Sequence, residues 1–309
     1  MFFFPYRLDI ALIRIPFLTL LVCLICAGTF LHQLKSAGTF GQNLDAYCAN
    51  EIDANLRAIL AAIDDREAGR GCAPIFLTLR QAHDREQEIA ALAREVRGLE
   101  FYADPDADIR YKTEALRSGY ANFDLLVPKS ATEKLEYQPD RYNPVTMITS
   151  TFAHANWDHL LGNLLFFFIF ASCVECALGP LSFVGTFLAF AVGTSLAYSF
   201  HVRAAEAIPS IGLSGVAMGM MAMLTTMLPR ARVWCFLWFL LFFRRFRLPV
   251  LVIAAWYIGW NVYDLAHPDP TSHVDYMAHV SGAALGIATG SVVRLFAPQR
   301  LAQLEQESG

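Results

Sequence analysis

Ser214 stands in Ile211-Gly212-Leu213-Ser214-Gly215, where an apolar run opens. A serine among glycines at a helix start lies beside backbone N–H groups that lack intrahelical acceptors, at the positive end of the helix dipole. That setting favours an alkoxide or an oxyanion. His279 stands in a second apolar run, within Ala278-His279-Val280-Ser281-Gly282. A histidine base beside a serine makes an activated nucleophile. Gly282, Gly286 and Gly290 follow at near-helical spacing and share roughly one face with His279. Gly215, Gly219 and Ala222 follow Ser214 in the same way. Small residues let two helices approach closely, which would bring His279 against Ser214. Taken alone, each feature has a plainer meaning: a small-residue packing site, and a hydrogen bond between helices.

A third cluster is His154-Ala155-Asn156-Trp157-Asp158-His159-Leu160-Leu161-Gly162-Asn163. His159 and Asn163 lie one turn apart on one helix face. Both can donate hydrogen bonds to a developing negative charge, as an oxyanion hole requires; polar glue between helices is the plainer meaning. Glu175 and Asp264, near the ends of other apolar runs, read as structural or interfacial.

The elements that must position these residues follow from composition. Of 309 residues, 55 % are hydrophobic and 17 % charged, with 24 Phe. An average globular chain carries roughly 25 % charged residues. Between Gln33 and Arg141 lie 33 of the chain's 52 charged side chains. The fold class expected is an all-α polytopic membrane protein carrying one soluble insert. A bilayer core of ~30 Å needs about 20 apolar residues per helix. Candidate spans are Asp9–Leu31, with an uncharged stretch from Ile15, then about 157–177, 181–201, 213–229, 248–266 and 275–296. Gly179-Pro180 makes a tight turn between the second and third. The first run is read as a retained helix in preference to a cleaved signal peptide, because the later spans are odd in number. Val233–Phe243 is too short to span and reads as interfacial or re-entrant. The domains expected are 1–32 (first helix), 33–142 (insert), 143–296 (core) and 297–309 (tail).

The insert reads as mainly helical, with stretches at about Leu44–Ala68 and Pro74–Arg97 broken at Gly69–Gly71. Cys48 and Cys72 lie in it and can form a disulfide on an oxidising side. A continuous first helix conflicts with that bridge, since Cys48 would sit roughly 30 Å from the turn holding Cys72. Either the helix starts later or breaks, or the bridge does not form. Cys23, Cys26, Cys173, Cys176 and Cys235 read as small apolar side chains. Arg230, Arg232, Arg244, Arg245 and Arg247 lie between spans four and five, and Arg294 and Arg300 follow span six. By the positive-inside rule both termini are cytoplasmic and the insert is extracytoplasmic. A bacterial cytoplasmic membrane is the expected address.

Over about residues 143–296 the sequence resembles the rhomboid family of intramembrane serine proteases. The resemblance rests on Asn143-Pro144, Thr149-Ser150, Phe152-Ala153-His154, His159 with Asn163, Val174-Glu175, Gly212-Leu213-Ser214-Gly215 and Ala278-His279-Val280-Ser281-Gly282. It implies a six-helix bundle, Ser214 as nucleophile and His279 as base in a dyad without a third acid. It implies an oxyanion hole of His159, Asn163 and the Ser214 N–H, with His154, Gly212, Gly215 and Met218 supporting. It also implies single-span or multi-span membrane proteins as substrates, lateral entry near span five, and no cofactor or metal. Two features depart from the family pattern. No Trp-Arg pair precedes His154, so the first loop must anchor differently. Met218 stands where some bacterial members place an aromatic ring. The insert reads equally as a gate for substrate or as a stabilising cap.

Other functions fit less well. There is no basic excess for nucleic acid. A non-catalytic relative that binds membrane proteins would not need both Ser214 and His279. A metal enzyme built on His154, His159, His267, His273 and His279 lacks an HExxH motif, and Asp158 and Asp275 lack ligand spacing. A carrier predicts an internal repeat, which the chain does not display.

Overall fold

The chain folds in the order β1 (Phe2–Leu8), α1 (Phe17–Ala46), a π turn (Tyr47–Glu51), α2 (Ala54–Asp64), α3 (Cys72–Gln81), α4 (Arg85–Glu95), α5 (Pro105–Leu126), α6 (Ala131–Leu135), α7 (Pro144–Thr149), α8 (Trp157–Leu178), α9 (Pro180–His201), α10 (Ser214–Met227), β2 (Arg232–Phe239), β3 (Phe242–Pro249), α11 (Val250–Ala266) and α12 (Tyr276–Phe296). The structure, a computed structural model, describes residues 2–9, 14–64, 71–96, 98–202, 208–239, 242–269, 271–272, 274–299 and 301–302. Gly69, Arg203, His273, Arg300 and the end of the tail from residue 303 lie outside the described residues. Two units emerge: Met1–Leu31 with Leu135–Gly309, and His32–Lys134.

In the first unit each expected later span coincides with a helix, α8 to α12. Phe17–Glu51, α8, α9 and α12 are long and apolar enough to cross a membrane, and α10 and α11 are shorter apolar helices. The chain is a membrane protein. The α8–α9 turn forms as read: Gly179 takes φ 84° beyond α8, and Pro180 opens α9. α10 packs against α8, α9, α11 and α12 and is buried along almost all its length. The glycines explain its closeness to α12. A Cβ on Gly282 would overlap the Gly215 carbonyl oxygen, and one on Gly286 would overlap that of Gly219. Backbone therefore touches backbone along the seam. Phe167, Phe170, Phe183, Phe190, Met220 and Leu224 fill the surrounding core.

α1 starts at Phe17, later than Asp9, because its end is capped from another helix. The buried Glu175 carboxylate on α8 accepts from Leu18 N (3.0 Å), Thr19 N (2.7 Å) and Thr19 Oγ1 (2.7 Å). A carboxylate there satisfies orphan N–H groups and the helix dipole. The structural reading of Glu175 therefore holds.

The expectation of an all-α chain is corrected. β1, β2 and β3 form an antiparallel sheet in that order, and Val233–Phe243 is largely strand. Val233 and Cys235 are buried and Trp234 between them only half so, which is the alternation of a strand. Val, Trp and Phe also suit a pleated surface.

In the second unit the helix expected over 44–68 is broken. α1 ends at Ala46, the π turn follows, and α2 starts only at Ala54. That break frees Cys48 from the line of α2. Cys48 and Cys72 are bonded, with Cα atoms 5.9 Å apart. The stretch 74–97 is likewise two helices, α3 and α4, because Asp84 caps a new start by accepting from Gln87 N. α5, capped by Asp104 with Pro105 in its first turn, supplies Leu116, Tyr120 and Phe123 to a core with Ile59, Phe76 and Leu79. Lys112 and Asp108 form a buried pair on α5. The Lys112 hydrogen bond holds the Asp108 carboxyl below the usual carboxylate range.

Candidate active site

Ser214 is the first residue of α10 and His279 lies in the first turn of α12. Their meeting follows from the glycine seam, which leaves no side-chain layer between the helices. His279 Nε2 is 2.7 Å from Ser214 Oγ. Asp275 fixes the start of α12, accepting from Ala278 N and from Ser210 Oγ, each at 2.8 Å.

His159 and Asn163 face the same place from the start of α8. Asn156 caps that helix, accepting from His159 N at 2.8 Å. Ala155 N donates to His159 Nδ1 at 3.4 Å, so the ring proton belongs on Nε2. Gly212 shows where these donors converge. A Cβ built on it would lie 2.8 Å from His159 Nε2 and 3.5 Å from Asn163 Nδ2. Gly212 has φ +123°, which side chains of L residues rarely adopt. Asn163 Nδ2 is buried and has no hydrogen-bond partner among the described residues.

His154 is buried and sets its ring edge-on to His159, centroids 5.2 Å apart. Burial first, and His159 second, push the His154 imidazole down to about 4. Neutral at physiological pH, it adds no charge behind His159. Met218, one turn into α10, lines the same cavity as Ser214, His159, Asn163 and His279, of about 810 Å³. Gly215 lies under Ala278: a Cβ there would be 3.1 Å from its carbonyl oxygen.

The loop before His154 is anchored by hydrogen bonds. Asn143 caps α7, accepting from Val145 N at 2.9 Å. Gly212 N donates to Ser150 O at 2.9 Å. Tyr137, fully buried, bridges to Ser210, and its hydroxyl pairs with Ser199 Oγ. So Ser150 and Tyr137 brace the strand-like approach to Ser214.

One residue at the site escaped sequence reading. Asn261 on α11 places Oδ1 2.6 Å from His279 Nδ1. Among the described residues an amide, and no carboxylate, contacts the His279 ring. The available signal was a lone amide inside an apolar run.

The rhomboid domain model matches residues 142–296, half of the chain. The chain belongs to the rhomboid family. Similar proteins include the chloroplastic Rhomboid-like protein 11 of Arabidopsis thaliana, 30 % identical over 45 % of this chain and 49 % of the relative. The mitochondrial Presenilin-associated rhomboid-like protein A of Danio rerio is 28 % identical over 46 % of the chain and 35 % of its own length. The mitochondrial Rhomboid protein 1 of Saccharomyces cerevisiae is 27 % identical over 47 % and 41 %. The chain spans less than half the length of each of these rhomboid relatives, and the second unit lies outside the matched domain.

Proposed function

We propose that this rhomboid is an intramembrane serine protease that cuts membrane-protein substrates. The carrying observation is the 2.7 Å contact between Ser214 Oγ and His279 Nε2 in a cavity that also holds two convergent donors. Ser214 Oγ attacks the scissile carbonyl carbon while its proton passes to His279 Nε2. The carbonyl oxygen becomes an oxyanion in the space beside Gly212, accepting from His159 Nε2–H, Asn163 Nδ2–H and the Ser214 N–H. His279 then protonates the departing amine. Water, activated by the same imidazole, hydrolyses the acyl-enzyme. The convergence of the His159 and Asn163 side chains on the space beside Gly212 supports this reading. His154 acts through its packing on His159, and Met218, Gly212 and Gly215 shape the cavity.

The short α10 supports a site at membrane depth. Its 14 residues rise about 21 Å, less than the ~30 Å apolar core. Water reaches Ser214 through the cavity. Substrates are single-span or multi-span membrane proteins within the bilayer, entering beside α11. The Arg-rich sheet and both termini face the cytoplasm, as the positive-inside rule favours, and the Cys48–Cys72 bond suits an insert on the oxidising side.

A fluorophosphonate probe tests this chemistry. It is expected to modify Ser214 in wild type and nothing in Ser214→Ala or His279→Ala, read by mass spectrometry. Adducts at other residues, or none on wild type that still binds membrane proteins, contradict it and favour a non-catalytic binder.

A further inference from the structure

We infer that Asn261 is a positioning residue that fixes the proton of His279 on Nδ1 and leaves the Nε2 lone pair to face Ser214. The inference rests on the protease reading only for its consequence, and on hydrogen-bond geometry for its substance. Asn261 lies on α11, a different helix from both Ser214 and His279. Its amide has two ends, and two neighbours decide which way it points. Asn261 Nδ2 is 2.7 Å from the Tyr257 carbonyl oxygen, which can only accept. The NH₂ end must therefore face Tyr257. The reverse orientation would set two carbonyl oxygens against each other. With NH₂ committed, Oδ1 faces His279 Nδ1 at 2.6 Å, and an amide oxygen can only accept. The shared proton must then sit on Nδ1.

The remaining nitrogen, Nε2, is 2.7 Å from Ser214 Oγ. It carries the lone pair, so the hydroxyl donates to it. The relay runs from a backbone carbonyl through an amide to the imidazole and on to the hydroxyl. Every member is held: Tyr257 by helix α11 and by its ring against Phe166, centroids 4.7 Å apart, and His279 by the glycine seam. The wrong tautomer would turn Nε2–H toward Ser214 and remove the base. Outer partners of this kind fix which nitrogen of a histidine is available.

The direct test is ¹⁵N NMR of the full-length protein in detergent, labelled on histidine, with the His279 signals identified by their loss in His279→Gln. Wild type is expected to show protonated Nδ1 and unprotonated Nε2. Asn261→Leu is expected to show mixed tautomers. Cleavage kinetics form the second arm. Asn261→Leu is expected to lower kcat about 10- to 100-fold with KM unchanged. Asn261→Asp, which keeps an acceptor for Nδ1–H, is expected to restore most of that loss. Protonated Nε2 in wild type overturns the inference whatever the rates and whether or not the leucine variant folds. So does an Asn261→Leu protein with wild-type tautomer and kcat. If wild type shows the Nδ1–H tautomer, the leucine variant loses it, and neither protein cleaves substrate or takes up fluorophosphonate, the positioning stands and the protease reading fails.

Discussion

Asn163 stands where a developing oxyanion would need a donor. It lines the cavity that holds Ser214 and His279, and its Nδ2 lies 3.5 Å from where a Cβ on Gly212 would stand. An oxyanion beside Gly212 would accept from it most strongly in the transition state, which is the differential binding that accelerates a chemical step. Asn163→Leu is therefore expected to lower kcat about 100- to 1000-fold with little change in thermal stability. Parallel kinetics and detergent melts check it, and a stabilised or unchanged melt with full activity contradicts the donor role. Ser214, His279, His159 and Asn163 were legible in the sequence because polar and ionisable groups are rare within apolar runs. Asn261 carried the same kind of signal but belonged to none of the motifs read, so only its distance to His279 revealed it.

The elements matter through one seam. On Gly286 of α12 a Cβ would overlap the Gly219 carbonyl oxygen and stand 2.9 Å from Met223 N. Gly286→Val is expected to push α12 off α10, destabilise the protein by about 1–3 kcal/mol and abolish cleavage, because His279 moves with its helix. Gly259 on α11 has nothing within 4 Å of a Cβ position, so Gly259→Ala is expected to keep activity and stability near wild type. Thermal melts and cleavage assays on both variants separate a seam effect from a general intolerance of side chains. The seam could be read from glycine spacing, and the apolar helices from length and composition. The sheet could not: its aromatic run is too short for a span, and its alternation shows in burial but not in residue type. α5 was missed because its apolar stripe is narrow among many charges, although Asp104-Pro105 marked its start. The broken helix before α2 was open to either outcome, and the formed disulfide decides it.

At the scale of the whole molecule, a family domain at residues 142–296 is joined to a second unit, His32–Lys134, with its own core and disulfide. Cys48 and Cys72 are 24 residues apart, and closing a loop of that length contributes about 3 kcal/mol. Cys48→Ser is expected to raise hydrogen exchange in α2 and α3 while leaving the α10–α12 seam protected. On intact cells a membrane-impermeant maleimide is expected to label wild type only after an impermeant reductant. Labelling that needs permeabilised cells would put the insert on the cytoplasmic side and reverse the proposed orientation.

The most direct measurement is cleavage of a single-span membrane substrate by purified wild type and Ser214→Ala in liposomes. Cut product from wild type alone is the expected result, with the Ser214→Ala protein still folded and still binding the substrate. Equal cutting by both proteins would contradict the central claim, because the reaction would then not need the hydroxyl that His279 faces at 2.7 Å.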